Sequence, residues 1–395
     1  MILKINNGIS KKILIPAFIQ LFLISTSRFI IGPIIPLIAS DLDMGLDLIG
    51  GAISLSIFIL LVSTFLAGNL IGLFGLKKIL YIAMALQTTG FAGFYFINSP
   101  SSFIILNSLL GVGGGVLVVC LITIANSNDR KDKTGSFFNL FLGAALALAV
   151  SPLLTGLIGH FGINWRYIFI LLALIQAALI ISFLFFRIPI RTDAIVNIKE
   201  VIKANKYFFK SPILILCFVF NFFNASVVET FYTWFTSYFS IFDVGINISS
   251  YILFLFSAAV FIGVFIKKYL IRYTDERKML LYNVIFSIVF LTLNLFIDSL
   301  ILKAVIIFLF GFSLSANYIL IISLGLKGLK EKYSTASGYL QGAEFMGIII
   351  FQAISGLLSE YLIKSGIIYM NIVLLLFLLV IVIILNSRKV GTSNG

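Results

Sequence analysis

The chain of 395 residues is 61% hydrophobic and only 11% charged, with 41 Phe and a net charge of +13. A soluble protein carries about a quarter charged residues, and a water-excluding core of this size has no room for so much apolar side chain, so the solvent is lipid. Two Cys and one His leave no disulfide framework, zinc cluster or multi-histidine metal site to expect, and the positive charge lies in short loops rather than on the basic face that nucleic acid requires.

From the N-terminus, Lys4, Lys11 and Lys12 precede an apolar run that passes Arg28 and reaches Ala39. That is too long for a signal-peptide core, and no small-residue cleavage site follows, so the run is predicted as a first membrane span. A spanning helix needs about 20 mostly apolar residues, and the apolar runs are continuous rather than alternating, which predicts helices and not a barrel. Twelve follow in order: 13–39, 48–74, 79–97, 101–125, 135–159, 165–186, 212–240, 247–266, 279–297, 301–326, 334–362 and 366–386. The predicted fold class is therefore an all-α integral membrane protein of twelve transmembrane helices. Residues 1–186 form an N-terminal six-helix bundle, 187–211 a cytoplasmic linker and 212–395 a C-terminal six-helix bundle.

The Lys and Arg distribution predicts that both termini are cytoplasmic. Of the 28 Lys and Arg, only Arg166, Lys303 and Lys364 fall on the outer side, and Arg28 falls within a span. In the linker, Ile195, Ile198, Val201, Ile202, Phe208 and Phe209 recur among Lys199, Lys203, Lys206 and Lys210. Two readings stay open there: a helix on the anionic inner leaflet and a solvated connector.

The two halves repeat. The exit from span 1, DMGLDLI from Asp43, matches the exit from span 7, DVGINIS from Asp243, 200 positions later. Gly68, nine positions before Lys77, matches Gly263, nine before Arg272. Duplicated halves of this kind place a transporter's substrate site near mid-membrane.

Local stretches then resemble the major facilitator superfamily, and within it the twelve-span drug/proton antiporter branch. Pro33 and Pro36, followed by IASDL with Asp41, are similar to that branch's P-x-x-P motif and its exit. The run GNLIGLFGLKK from Gly68, with Gly75, Lys77 and Lys78, is similar to the family's G-x-x-x-D-R-x-G loop, with Gly72 and Leu73 in place of its Asp and Arg. In span 4, NSLLGVG from Asn107 follows R-x-x-x-G-x-G with Asn for Arg, and in span 5 SPLLTG, with Pro152 and Gly156, is a worn form of the antiporter motif. NWRYIF around Arg166 resembles the W-R-x-x-F of many of these carriers, and ETFY from Glu229 an E-T-x-Y stretch of some Gram-positive drug exporters. The resemblance implies the major facilitator fold in two pseudo-symmetric bundles, and no cofactor.

Three ionisable residues are expected deep in spans: Arg28, Glu229 and Glu344. Charge in hydrocarbon is costly and by default functional. One Glu balances Arg28; the other must take up a proton or bind a cation, which is how a proton and a cationic cargo come to compete for one carboxylate. Arg28 is expected to pair with Glu229 at the outer gate. Glu344, on a face with Ser337, Gln341 and Gly347, is expected to serve proton and cargo. Asn107, Asn139, Asn221, Asn224, Tyr232, Asn317, Tyr318 and Gln341 are further pocket candidates, and Trp234 and Phe235 could stack on a flat ligand. For each of these, a helix–helix hydrogen bond or an interfacial ring is the competing reading.

The expected activity is export of a small amphiphilic or cationic molecule, drug or metabolite, by proton antiport across the cell membrane, by a monomer working in the bilayer. The alternative is a proton-coupled importer or uniporter of a metabolite. With one His, an intramembrane enzyme is not expected.

Overall fold

A computed structural model describes residues 13–128, 133–186, 211–271, 273–326, 333–361 and 366–387. The linker 187–210 with its amphipathic pattern, and Lys364, lie outside the described residues. Among the described residues all regular structure is helical. The N-terminal half comprises α1 (Leu14–Phe29), α2 (Ile31–Leu42), α3 (Leu46–Phe74), α4 (Leu76–Tyr95), α5 (Pro100–Asn128), α6 (Lys133–Phe161) and α7 (Arg166–Leu184). The C-terminal half comprises α8 (Pro212–Phe239), α9 (Ile246–Leu270), α10 (Glu276–Leu293), α11 (Leu300–Leu314), α12 (Asn317–Leu326), α13 (Tyr333–Tyr361) and α14 (Gly366–Ser387). Two compact units result, one of residues 1–195 with 245–247 and one of 196–244 with 248–395.

Among the described residues fourteen α-helices occupy the twelve spans because two spans are broken. Span 1 is α1 and α2, bent by 45°. Pro33 has no N–H to return to the carbonyl of residue 29, where the axis turns, and Pro36 repeats the defect one turn on. Span 10 is α11 and α12, and its break contains no proline: Ser315 leaves the helical region at ψ 147, and Ala316 is left-handed at φ 66.

Nine of the described spans are long and apolar enough to cross a bilayer, and the bent pair makes ten. The other two positions are filled by α4 and α10. Some of their polar residues face protein: Gln87 on α4 and Asn283 and Ser287 on α10 are buried. Outward-facing positions are apolar, with Phe65 72% and Ile301 77% exposed, a surface only lipid would cover.

The helix pairs within each unit repeat. Spans 1 and 5 pack together as spans 7 and 11 do, and spans 3 and 6 as spans 9 and 12 do. Close glycine contacts follow the same rule. A Cβ on Gly111 of α5 would lie 2.5 Å from the Ser56 carbonyl of α3, and one on Gly311 of α11 would lie 2.5 Å from the Phe256 carbonyl of α9. Both members of that pair are displaced by 200 positions. Gly143 on α6 approaches the Phe18 carbonyl as Gly347 on α13 approaches the Phe222 carbonyl. Small residues of this kind let membrane helices approach backbone to backbone. The repeated loops also match: Asp43 (φ 48) and Asp243 (φ 54) are both left-handed residues closing the preceding helix. Gly68 and Gly263 do not share surroundings, since Gly68 faces open space and Gly263 packs against Ser315.

Candidate functional site

In the N-terminal unit a small pocket of about 40 Å³ opens between α1, α3 and α5. Its polar corner is formed by Ser27, Arg28, Ser56 and Asn107, and its apolar wall includes Ile24, Ile53, Ile57 and Leu110. The bend after Phe29 brings Arg28 to the last turn of α1, with its guanidinium carbon 5.4 Å from the Phe29 ring centroid. That turn is the negative end of a helix dipole, which favours a cation. The Gly111 contact holds α5 against α3, where Ser56 Oγ donates to the Asn107 carbonyl at 2.8 Å. The Asn107 side chain donates to the Ala52 carbonyl at 3.3 Å. A permanent cation, two hydroxyls and an amide beside an apolar wall suit a solute with one acceptor-bearing end and one greasy end.

In the C-terminal unit Glu229 is buried on α8, and Glu344 is half-buried on α13, near Gln341 and within electrostatic range of Tyr318. Below Glu229 the chain is stapled by Gln352. Its Nε2 donates to Thr233 Oγ1 at 2.9 Å and to the Glu229 carbonyl at 3.2 Å, while its Oε1 accepts from the Trp234 indole at 2.8 Å. Trp234, Tyr232 and Phe235 are all buried, and the Phe235 ring packs at a tilt against Phe231 and Phe239. Asn221 donates to the Leu340 carbonyl at 2.7 Å. Asn224 accepts from Asn317 at 3.2 Å, and Asn317 accepts from Asn283 at 2.7 Å, a chain of amides from α8 to α10. The Asn139 side chain lies outside the described residues.

Two residues from separate family-like motifs meet at one end of the first unit. Arg166, at the start of α7, forms a salt bridge with Asp41 near the end of α2 and donates to the Ile97 carbonyl at 2.8 Å. The Trp165 indole donates to the same Asp41 oxygen at 3.1 Å. At the other end, Gly75 turns the chain between α3 and α4 at φ 84, a conformation only glycine adopts freely. Lys77 and Lys78 are exposed beside it. Pro152 and Gly156 are buried within α6.

Sequence reasoning passed over four glutamines. Gln20 and Gln176 exchange amide bonds at 2.8 and 2.9 Å, and Gln20 also donates to Gln87 at 3.0 Å, tying spans 1, 3 and 6. Gln352 is the fourth. Lys267 and Arg277, counted with the cytoplasmic cations, and Lys303, counted with the outer ones, are all buried against backbone carbonyls. Only Lys303, between Leu302 and Ala304, carries a signal in the sequence, an apolar neighbour on each side.

A family model described as Major Facilitator Superfamily matches residues 17–350. An uncharacterized protein of Campylobacter jejuni is 28% identical over 163 residues, 39% of this chain and 48% of that protein, so the match spans about half of the relative's length. Among solved structures, the nucleoside transporter NupG is similar with a TM-score of 0.78 at 13% identity, covering 96% of this chain and 99% of that one. An inward-facing bacterial homolog of the human lysosomal transporter Spinster has a TM-score of 0.74 at 12% identity, with 96% and 98% covered. A D-xylose-proton symporter has a TM-score of 0.73 at 13% identity, with 93% and 96% covered. At these identities the structures speak for the fold, whereas the family model covers most of the chain: the protein is a multi-pass membrane transporter, not an enzyme, and belongs to the major facilitator superfamily.

Proposed function

We propose that the protein exports a small amphiphilic or cationic organic molecule in exchange for protons, by alternating access, as a monomer in the cell membrane with both termini cytoplasmic. Glu229 offsets the permanent charge of Arg28. Glu344 is the carboxylate for which proton and cargo compete, because a carboxylate in a poorly solvated site gains from either one. The observation that carries this reading is the lining of the pocket: an arginine within a span borders it, with hydroxyl and amide groups on one side and aliphatic side chains on the other. Such a lining suits an amphiphile. Asp41, Arg166, Gly75, Lys77 and Lys78 act as end and turn elements of the moving helices.

A second reading, proton-coupled import of an acceptor-rich neutral solute, draws support from the same polar corner. Solutes of that chemistry are what the names of the nucleoside transporter and the D-xylose-proton symporter describe. Uptake of candidate amphiphilic cations into inside-out vesicles, with and without an imposed proton gradient (interior acid), separates the two. Export by antiport predicts uptake driven by the gradient; uptake indifferent to it rejects antiport.

A further inference from the structure

Lys267 is buried at 5% exposure near the end of α9, and its ammonium donates to three backbone carbonyls: Phe312 at 2.7 Å, Ser313 at 2.9 Å and Ser315 at 3.0 Å. Those carbonyls are the end of α11, left open because the chain breaks at Ser315 and Ala316 instead of continuing as helix. The Phe312 ring covers the ammonium, with its centroid 5.2 Å away. Among the described residues no carboxylate pairs with Lys267; its partners are the three carbonyls and that ring.

The surroundings are built for this contact. Gly263 lies one turn before Lys267 on the same face of α9, and it packs so closely on Ser315 that any side chain would collide with the Ser315 hydroxyl. From the other side α10 holds the break, with Asn283 donating to Asn317 at 2.7 Å and Ser287 and Ser313 sharing a hydrogen bond at 2.7 Å. Convergent carbonyls at an unwound helix end, close to the negative end of a helix dipole, are the way discontinuous membrane helices hold monovalent cations.

We infer that the break in span 10 is a monovalent-cation site of carbonyl oxygens, and that Lys267 fills it as a cation tethered to the protein. The side chain makes the fold of this span independent of any dissolved ion. Removing the side chain leaves the carbonyls for a small free cation: potassium, sodium, ammonium or methylammonium. This inference does not rest on the proton-exchange reading.

The test uses the purified full-length protein in detergent and its thermal unfolding at matched ionic strength, in potassium, sodium, methylammonium or the bulky N-methylglucamine ion. Wild type is expected to melt at the same temperature in all four. Lys267→Ala is expected to melt lower in N-methylglucamine and to recover most of the loss in at least one small cation. Lys267→Met fills the space without a charge, so it should melt low in every salt. A Lys267→Ala protein that melts identically in all four salts, or that is not recovered folded in any of them, overturns the site, as does a Lys267→Met protein as stable as wild type. Because this measurement needs no substrate, its failure would leave the transport reading standing, and the reverse also holds.

Discussion

Arg166 joins Asp41 in a salt bridge that neither residue's own stretch of sequence announces, since they lie 125 positions apart. Because Trp165 donates to the same carboxylate and Arg166 also holds the Ile97 carbonyl, one ion pair fixes the ends of spans 1, 3 and 6. Asp41 is 38% exposed at its side chain, so water screens part of the attraction. Asp41→Asn is expected to cost about 1 kcal/mol. Arg166→Lys should cost more, because a lysine cannot fork to two partners. A double-mutant cycle read by thermal unfolding should return a positive coupling between positions 41 and 166.

The repeated glycine contacts make a paired prediction. Gly111→Ala and Gly311→Ala each push a methyl to 2.5 Å from a carbonyl of the neighbouring span. Each should destabilise its own half by about 1–3 kcal/mol. Gly68→Ala meets nothing within 4 Å and should be neutral or slightly stabilising. Unfolding temperatures of the three variants check the ranking.

Gln352→Leu leaves the Trp234 indole N–H buried without its acceptor. A loss of about 1–3 kcal/mol is expected, and adding Trp234→Phe should return part of it, since removing both partners costs less than orphaning one. Unfolding of both singles and the double variant measures the difference.

The glutamine cluster of the first unit is lopsided. Gln20 serves both neighbours, whereas the Gln87 Nε2 is buried with no partner. Gln20→Met should therefore cost clearly more stability than Gln87→Met, which removes an unsatisfied donor along with one acceptor. Stability of the second close to wild type, with the first lower by about 1–3 kcal/mol, is the expected pattern.

The spans, the break after Phe29 and the duplicated loops could all be read from composition, prolines and the Asp43 and Asp243 repeats. The second break could not, because Ser315 and Ala316 include neither proline nor glycine. Its trace is a cluster of small polar residues, Ser313, Ser315 and Asn317, in an otherwise apolar run. Lys267 was hidden by a rule that works on average: lysines near span ends mark the cytoplasmic side, and a sequence does not show whether such a side chain reaches outward to water or inward to carbonyls. Of the aromatic candidates, Trp234 is buried and donates to Gln352, and Phe235 is buried beside Phe231. The periodicity of a span hydrophobic all round does not tell its protein side from its lipid side.

The proposed exchange of protons for cargo at span carboxylates is open to measurement in proteoliposomes loaded with a transported substrate. Gradient-driven transport and gradient-free substrate exchange are measured for wild type, Glu229→Gln and Glu344→Gln. Glu344→Gln is expected to lose gradient-driven transport by at least tenfold, about 1.4 kcal/mol, while exchange survives. Full gradient-driven transport in both glutamine variants would contradict it.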